Sequence, residues 1–201
     1  MSWEEALREI TQAAAEHASQ ALTKLTVKPV TVEILNARVE TVAELRQFYK
    51  QRDDFVAGVL LPITGDARGE SLLVLDQDTV MLLCDVLLKR QSGTTTALSE
   101  LEESMIKEVG NILTGSYLTV LGNRLQMKFI EHVPTLSCQA FGTVLKQVTD
   151  TLIGQSNKVL IMEVQFIVDV VTVKGQLVLF FALEAIDAMI RALEGRTESS
   201  R

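Results

Sequence analysis

Two glycine-anchored patterns, one in each half of the chain, constrain its fold more than any other feature. Gly69 is followed by Leu73, Val80, Leu83 and Leu87, and Gly175 by Leu179, Ile186, Met189 and Leu193. The offsets from the glycine are 4, 11, 14 and 18 in both cases. The first apolar position suits a strand, and the later three recur at helical spacing. The order of elements repeats as well, as helix, strands, helix. An internal duplication follows, with halves of about 1–97 and 98–195 and a polar tail at 196–201. The expected fold is α/β (α+β): a single domain of two pseudo-symmetric helix–strands–helix halves. These would form one continuous, mainly antiparallel sheet with two long helices packed on it.

The elements read as follows. Trp3, Ala6, Leu7, Ile10, Ala14, Ala18, Ala21 and Leu25 recur at helical spacing over residues 3–25. Pro29 ends that helix, and strands are expected at 30–36, 54–62 and 69–75. A helix covers 77–90. The segment 90–97 (RQSGTTTA) is small and polar, and is the best candidate boundary between halves. Ser99 with Glu102 three residues later is a capping-box signal for the next helix, about 99–121. Its buried side is expected along Leu101, Met105, Val109, Ile112, Ser116 and Val120. Strands near 127–133, 158–168 and 174–182, a short helix at 138–149 and a last helix at about 183–194 complete the reading.

Composition excludes several classes. The chain has 201 residues, 47% of them hydrophobic, enough for one substantial core. Its net charge of −7 argues against a nucleic-acid partner, whose phosphates need a basic surface. No apolar run is long enough to span a bilayer, and the acidic start MSWEEALREI is unlike a signal peptide. A cytoplasmic protein with no membrane partner is expected. Cys84 and Cys138 form no CxxC pair, and two histidines without companions at ligand spacing give no metal site.

The helix at 99–121 carries the chemistry. Ser104, Glu108 and Asn111 are spaced i, i+4, i+7, within a narrow arc of one face. A carboxylate and a carboxamide can orient a water and grip a cation, but they include no nucleophile. Such a pair is also common on a plainly solvated helix face. Gly110 and Gly115 argue for more, since each costs about 1 kcal/mol relative to alanine inside a helix. Gly110 suits close helix packing. Gly115, one turn beyond Asn111, flattens the surface so that another backbone can approach. Pro134 follows 23 positions after Asn111.

The pattern Ser/Asp-x3-Glu-x2-Asn, followed at a distance by Pro, resembles the active-site signature of the CheC/CheX/FliY phosphatases of chemotaxis, closest to CheC. The surrounding EVGNILTGSYLTVL is similar to that family's helix. The resemblance implies a phosphatase acting on the aspartyl phosphate of a phosphorylated CheY-like response regulator. It implies that Asn111 orients the attacking water and that Glu108 pairs with the regulator's active-site lysine. Ser104 and Pro134 would support the surface, and Mg²⁺ would come with the regulator, leaving this chain without a cofactor of its own. In the first half the matching positions are Glu5, Glu9 and Gln12, with Leu35 where proline would fall. Gln12 carries its amide one methylene further than asparagine, so this half reads as a decayed second site. The alternative is a non-catalytic adaptor, binding a CheD-like receptor deamidase or serving as a flagellar switch component. Switch proteins of the FliY kind carry a further C-terminal domain, and the end at Arg201 weighs against that role.

Overall fold

The computed structural model describes residues 3–26, 28–49, 54–151, 158–168 and 170–181. The expected helix at 183–194, and with it Ile186, Met189 and Leu193, lies outside the described residues, as does the tail. The order of elements is α1 (Trp3–Thr26), β1 (Val30–Thr41), α2 (Val42–Tyr49), β2 (Phe55–Gly65), β3 (Gly69–Asp76), α3 (Gln77–Leu87), α4 (Glu100–Leu125), β4 (Phe129–Glu131), β5 (Thr135–Ala140), α5 (Phe141–Thr151), β6 (Lys158–Val168) and β7 (Val171–Phe181).

Among the described residues seven strands join one sheet, ordered β1-β6-β7-β3-β2-β4 with β5 also on β2, and each of their ladders is antiparallel. The sheet reads alike from both ends. In its centre β3 and β7 pair, Leu72 opposite Val178. Outside each lies its hairpin partner, β2 or β6. At each edge lies a strand from the other half: β1 on β6, and β4 and β5 on β2. Each half therefore completes the other's sheet, and neither buries its core alone. The core lies on both faces. Helices α1, α3 and α4 cover one, and α2 and α5 the other. This explains why β3 is buried along almost its whole length, with no polar-out alternation.

The segment 90–97 is a tied corner between α3 and α4. Asp85 is 1% exposed, and its carboxylate accepts from the backbone N–H of Gly93, Thr94 and Thr95 at 2.7–3.0 Å and from the Thr95 hydroxyl at 2.6 Å. Arg90 donates to Glu102 and to the Thr95 hydroxyl. Small polar residues, which looked like a loose linker, are what such a carboxylate-centred turn requires.

Two local expectations differ from the structure. Helix 138–149 begins at Phe141, because residues 135–140 pair with Phe55–Leu60 of β2 as strand β5. Strand β1 continues to Thr41 along β6, and α2 follows where no element was expected. Cys84 is buried and Cys138 half-buried, and both are free thiols.

Candidate functional site

Helix α4 begins with the expected cap. The Ser99 backbone N–H donates to Glu102 at 3.0 Å, the Ser99 hydroxyl also bonds Glu102, and the Leu101 N–H donates to the Ser99 hydroxyl at 3.3 Å. Glu100, Glu102 and Glu103 place negative charge at the positive end of the helix dipole. The hydrogen bonds from Ser99 and Arg90 hold the Glu102 carboxyl at a pKa of about 2. The start of the helix is thereby fixed to the corner at 90–97.

The face that α4 buries is rotated from the expected one. Ile106, Val109, Gly110, Leu113, Tyr117, Leu121 and Leu125 are buried, whereas Leu101 is 55% exposed and Met105, Ile112, Ser116 and Val120 are half-buried. Apolar residues cover so wide an arc of α4 that periodicity alone admits both faces. The choice is made at Gly110, where a Cβ would stand 2.7 Å from Cγ1 of Val59 on β2. Helix and sheet meet there more closely than any side chain would allow. The same slippage shows in α1, where Leu22 is buried and Leu25 is 39% exposed.

This rotation turns the stripe of Ser104, Glu108 and Asn111 outward. Ser104 and Glu108 are exposed and Asn111 is half-buried. Among the described residues, no hydrogen bond or ion pair engages the side chain of Glu108 or Asn111. The two groups are held on a rigid helix, open to a visitor, with nothing of the chain's own to release first.

The second wall of the site is the chain returning from α4. The contacts run in order along the helix. A Cβ on Gly122 would meet the Met127 carbonyl oxygen at 2.6 Å, and one on Gly115 would meet the Glu131 carboxylate oxygens at 2.8 and 2.9 Å. Further on, the charge of Glu103 reaches Cys138. The β4–β5 edge thus runs antiparallel to α4, and Pro134 lies in sequence between the last two of these points. Gly115 was expected to leave room for another molecule's backbone. Its space is taken by the Glu131 carboxylate of this chain.

At Pro134 the edge breaks. Strand β4 pairs with Ile63–Gly65 and β5 with Phe55–Leu60, leaving Leu61 and Pro62 between them. Neither Pro62 nor Pro134 has an N–H to give a ladder. The Pro62 carbonyl accepts from the His132 N–H at 2.9 Å, and the His132 ring bonds the Thr64 hydroxyl at 2.9 Å. The break projects Val133, 82% exposed, beside Pro134. Strand β1 has a register shift between Ile34 and Asn36, at Leu35, the first-half counterpart of Pro134.

In the first half, Glu5, Glu9 and Gln12 lie exposed on α1. Their setting differs. Glu9 accepts an ion pair from Arg124 of α4 at 3.3 Å, so its carboxylate is already engaged, which Glu108 is not. Glu131, which sequence reasoning missed, is the additional ionisable group at the α4 site; its single sequence signal is its place three residues before Pro134. Among the described residues no three His, Cys, Asp or Glu side chains converge as a metal-binding group, and no helix is long and apolar enough to cross a membrane.

Comparison with known proteins supports the resemblance. Residues 101–137 match the model of the CheC-like family. The chain is 28% identical over 143 residues to the CheY-P phosphatase CheC of Bacillus subtilis (strain 168), covering 70% of this chain and 68% of that protein. In fold it is similar to FliY of Thermotoga maritima, with TM-score 0.77 and 18% identity over 96% of each chain. It is also similar to CheX in the CheX–CheY–BeF3–Mg²⁺ complex of Borrelia burgdorferi, with TM-score 0.52 and 14% identity over 85% of this chain and 96% of that one. The likeness to the CheC/CheX/FliY family therefore holds in sequence and in fold, and Ser104, Glu108, Asn111 and Pro134 lie inside the matched stretch.

Proposed function

We propose that this chain is a phosphatase that accelerates hydrolysis of the aspartyl phosphate of a CheY-like response regulator in chemotaxis signalling. One observation carries the reading: Glu108 and Asn111 face outward, unengaged, on a helix fixed at its start by the Asp85–Arg90–Glu102 corner. Similarity to the CheC of B. subtilis supports the choice of substrate.

The amide and the carboxylate include no nucleophile, which suits a bond that the substrate has already activated. The Asn111 carboxamide enters the regulator's pocket and holds a water in line with phosphorus. The water oxygen bonds to phosphorus as the bond from phosphorus to the aspartyl oxygen breaks. Aspartate leaves as the carboxylate, and the water's proton departs with inorganic phosphate. Glu108 meets the regulator's lysine in an ion pair that sets the register of docking. Ser104 lies on the same docking stripe, and exposed Leu101 and Val133 bracket it with apolar surface. Pro134 holds the edge broken beside it. Mg²⁺ stays with the regulator. At the α1 site a lysine would have to displace Arg124 from Glu9, and Gln12 replaces the asparagine, so this reading gives each chain one working site.

The test follows loss of phosphate from a phosphorylated CheY-type regulator with Mg²⁺. Wild type speeds the decay, and Asn111→Ala removes the gain while leaving the fold intact. Losing one such orienting group costs about 2.7–4 kcal/mol of barrier elsewhere, and less here, because the regulator also catalyses its own dephosphorylation. Glu108→Ala weakens docking. Full activity in the double Glu108→Ala, Asn111→Ala variant would overturn the reading, and loss of activity in Gln12→Ala would move the working site to α1.

A further inference from the structure

Strand β4 lays two side chains over α4, a half-buried Phe129 and an exposed Glu131. Phe129 and Glu131 share one side of the strand. Phe129 packs within 3.3 Å of where a Cβ on Gly122 would stand and tilts against Phe181, with ring centroids 5.8 Å apart. Glu131, two residues on, lies over Gly115 in the same way, its oxygens 2.8 and 2.9 Å from the Cβ that glycine lacks. The first helix glycine receives a phenyl ring; the second receives a carboxylate.

Glu131 is exposed as a residue, and the partial cover that α4 gives its carboxylate raises its pKa. Among the described residues no cation or hydrogen-bond donor engages it. The neighbouring His132 ring is bonded to Thr64. A carboxylate left unpaired beside the docking stripe is free to meet a partner's cation. Its place is one turn beyond Asn111 on the Ser104–Glu108–Asn111–Gly115 stripe, at the head of a groove of about 460 Å³ between α4 and residues 127–131. An alanine or leucine there would also pack on Gly115 but would offer no charge.

We propose that Glu131 is a specificity-determining residue, which receives a second cationic side chain, a lysine or arginine, of the docked regulator. This rests on the phosphatase reading of the neighbouring Glu108 and Asn111. Two acids separated along the stripe would read two cations on one partner, and so fix its orientation as well as its position. A pair at this exposed position adds modestly to affinity and mainly fixes orientation.

Glu131→Gln keeps the shape and removes the charge. With the phosphorylated regulator as substrate, the half-saturating concentration should rise about two- to fivefold with kcat unchanged, and its salt dependence should become shallower. Resistance to urea should be equal or greater. An unchanged half-saturation, or a loss of stability with binding intact, would overturn the proposal. Equilibrium binding of the regulator charged with beryllofluoride and Mg²⁺ separates this inference from the catalytic one. If wild type binds without accelerating hydrolysis and Glu131→Gln binds more weakly, the phosphatase reading fails and this one stands. If wild type hydrolyses normally and the variant binds equally well, only this one fails. If wild type does not bind, both fail.

Discussion

Replacing Gly110 and Gly115 separately by alanine tests how α4 is seated. Both glycines are inside the same helix, so both substitutions gain about 1 kcal/mol from helix propensity. They differ in what the new methyl group meets. At position 110 it lands 2.7 Å from Cγ1 and 3.0 Å from Cβ of Val59, which is fully buried on the central part of β2. Carbon atoms are comfortable at about 3.5–4.0 Å, so either α4 lifts by the better part of an ångström or Val59 leaves its rotamer. Overpacking of this kind costs about 1–3 kcal/mol, which cancels or outweighs the propensity gain. At position 115 the obstacle is the end of a flexible glutamate, which can swing into solvent. The propensity gain then survives. Gly115→Ala should therefore be more stable than Gly110→Ala by about 1–3 kcal/mol, or roughly 3–10 °C in Tm for a chain of this length. Urea and thermal unfolding of the two variants and wild type decide it. Equal stability of the two alanine variants, or a more stable Gly110→Ala, would refute the claim that Gly110 sets the depth and rotation of the helix.

Other outcomes follow from single groups. Tyr117 is fully buried and its hydroxyl has no hydrogen-bond partner among the described residues, so Tyr117→Phe should be neutral or stabilising by up to about 1 kcal/mol in urea unfolding. The Glu102 carboxyl is held at about 2, below its ordinary value of 4.5. Its contribution is therefore complete above pH 4.5 and fades as pH falls toward 2, and wild type should lose more Tm over that interval than Glu102→Gln. Asp85 adds to the same acid sensitivity: burial alone would raise its carboxyl, but the bonds from Thr95, Gly93 and Thr94 outweigh burial and lower it. Burial, with help from Glu102 and Asp85, pushes the Cys84 thiol up to about 12, so a thiol reagent should label Cys138 in the folded protein and Cys84 after unfolding.

Much of the site was legible in the sequence because it is local. The spacing of Ser104, Glu108 and Asn111 on one helix is a matter of 3.6 residues per turn, and Ser99 with Glu102 announces where that helix starts. The edge strand β5 was not legible. Its residues TLSCQA carry little strand preference, and they form a strand because β2 offers an unpaired edge. Glu131 was hidden for a related reason. A glutamate in a short polar stretch looks solvated until the fold lays it over Gly115.

What this sequence decides by itself is what hydrogen bonds and side chains can reach within a few turns: the helices α1, α3 and α4, most of the strands, the cap at Ser99, and an acid and an amide at matching positions on one helix. What the tertiary structure decides is which side of that helix faces water, since apolar residues on a wide arc allow more than one answer. The contact between Gly110 and Val59 selects one, and with it exposes Glu108 and Asn111. It also decides that the edge strands cross to the opposite half, because strand pairing joins residues that no spacing in the chain brings together.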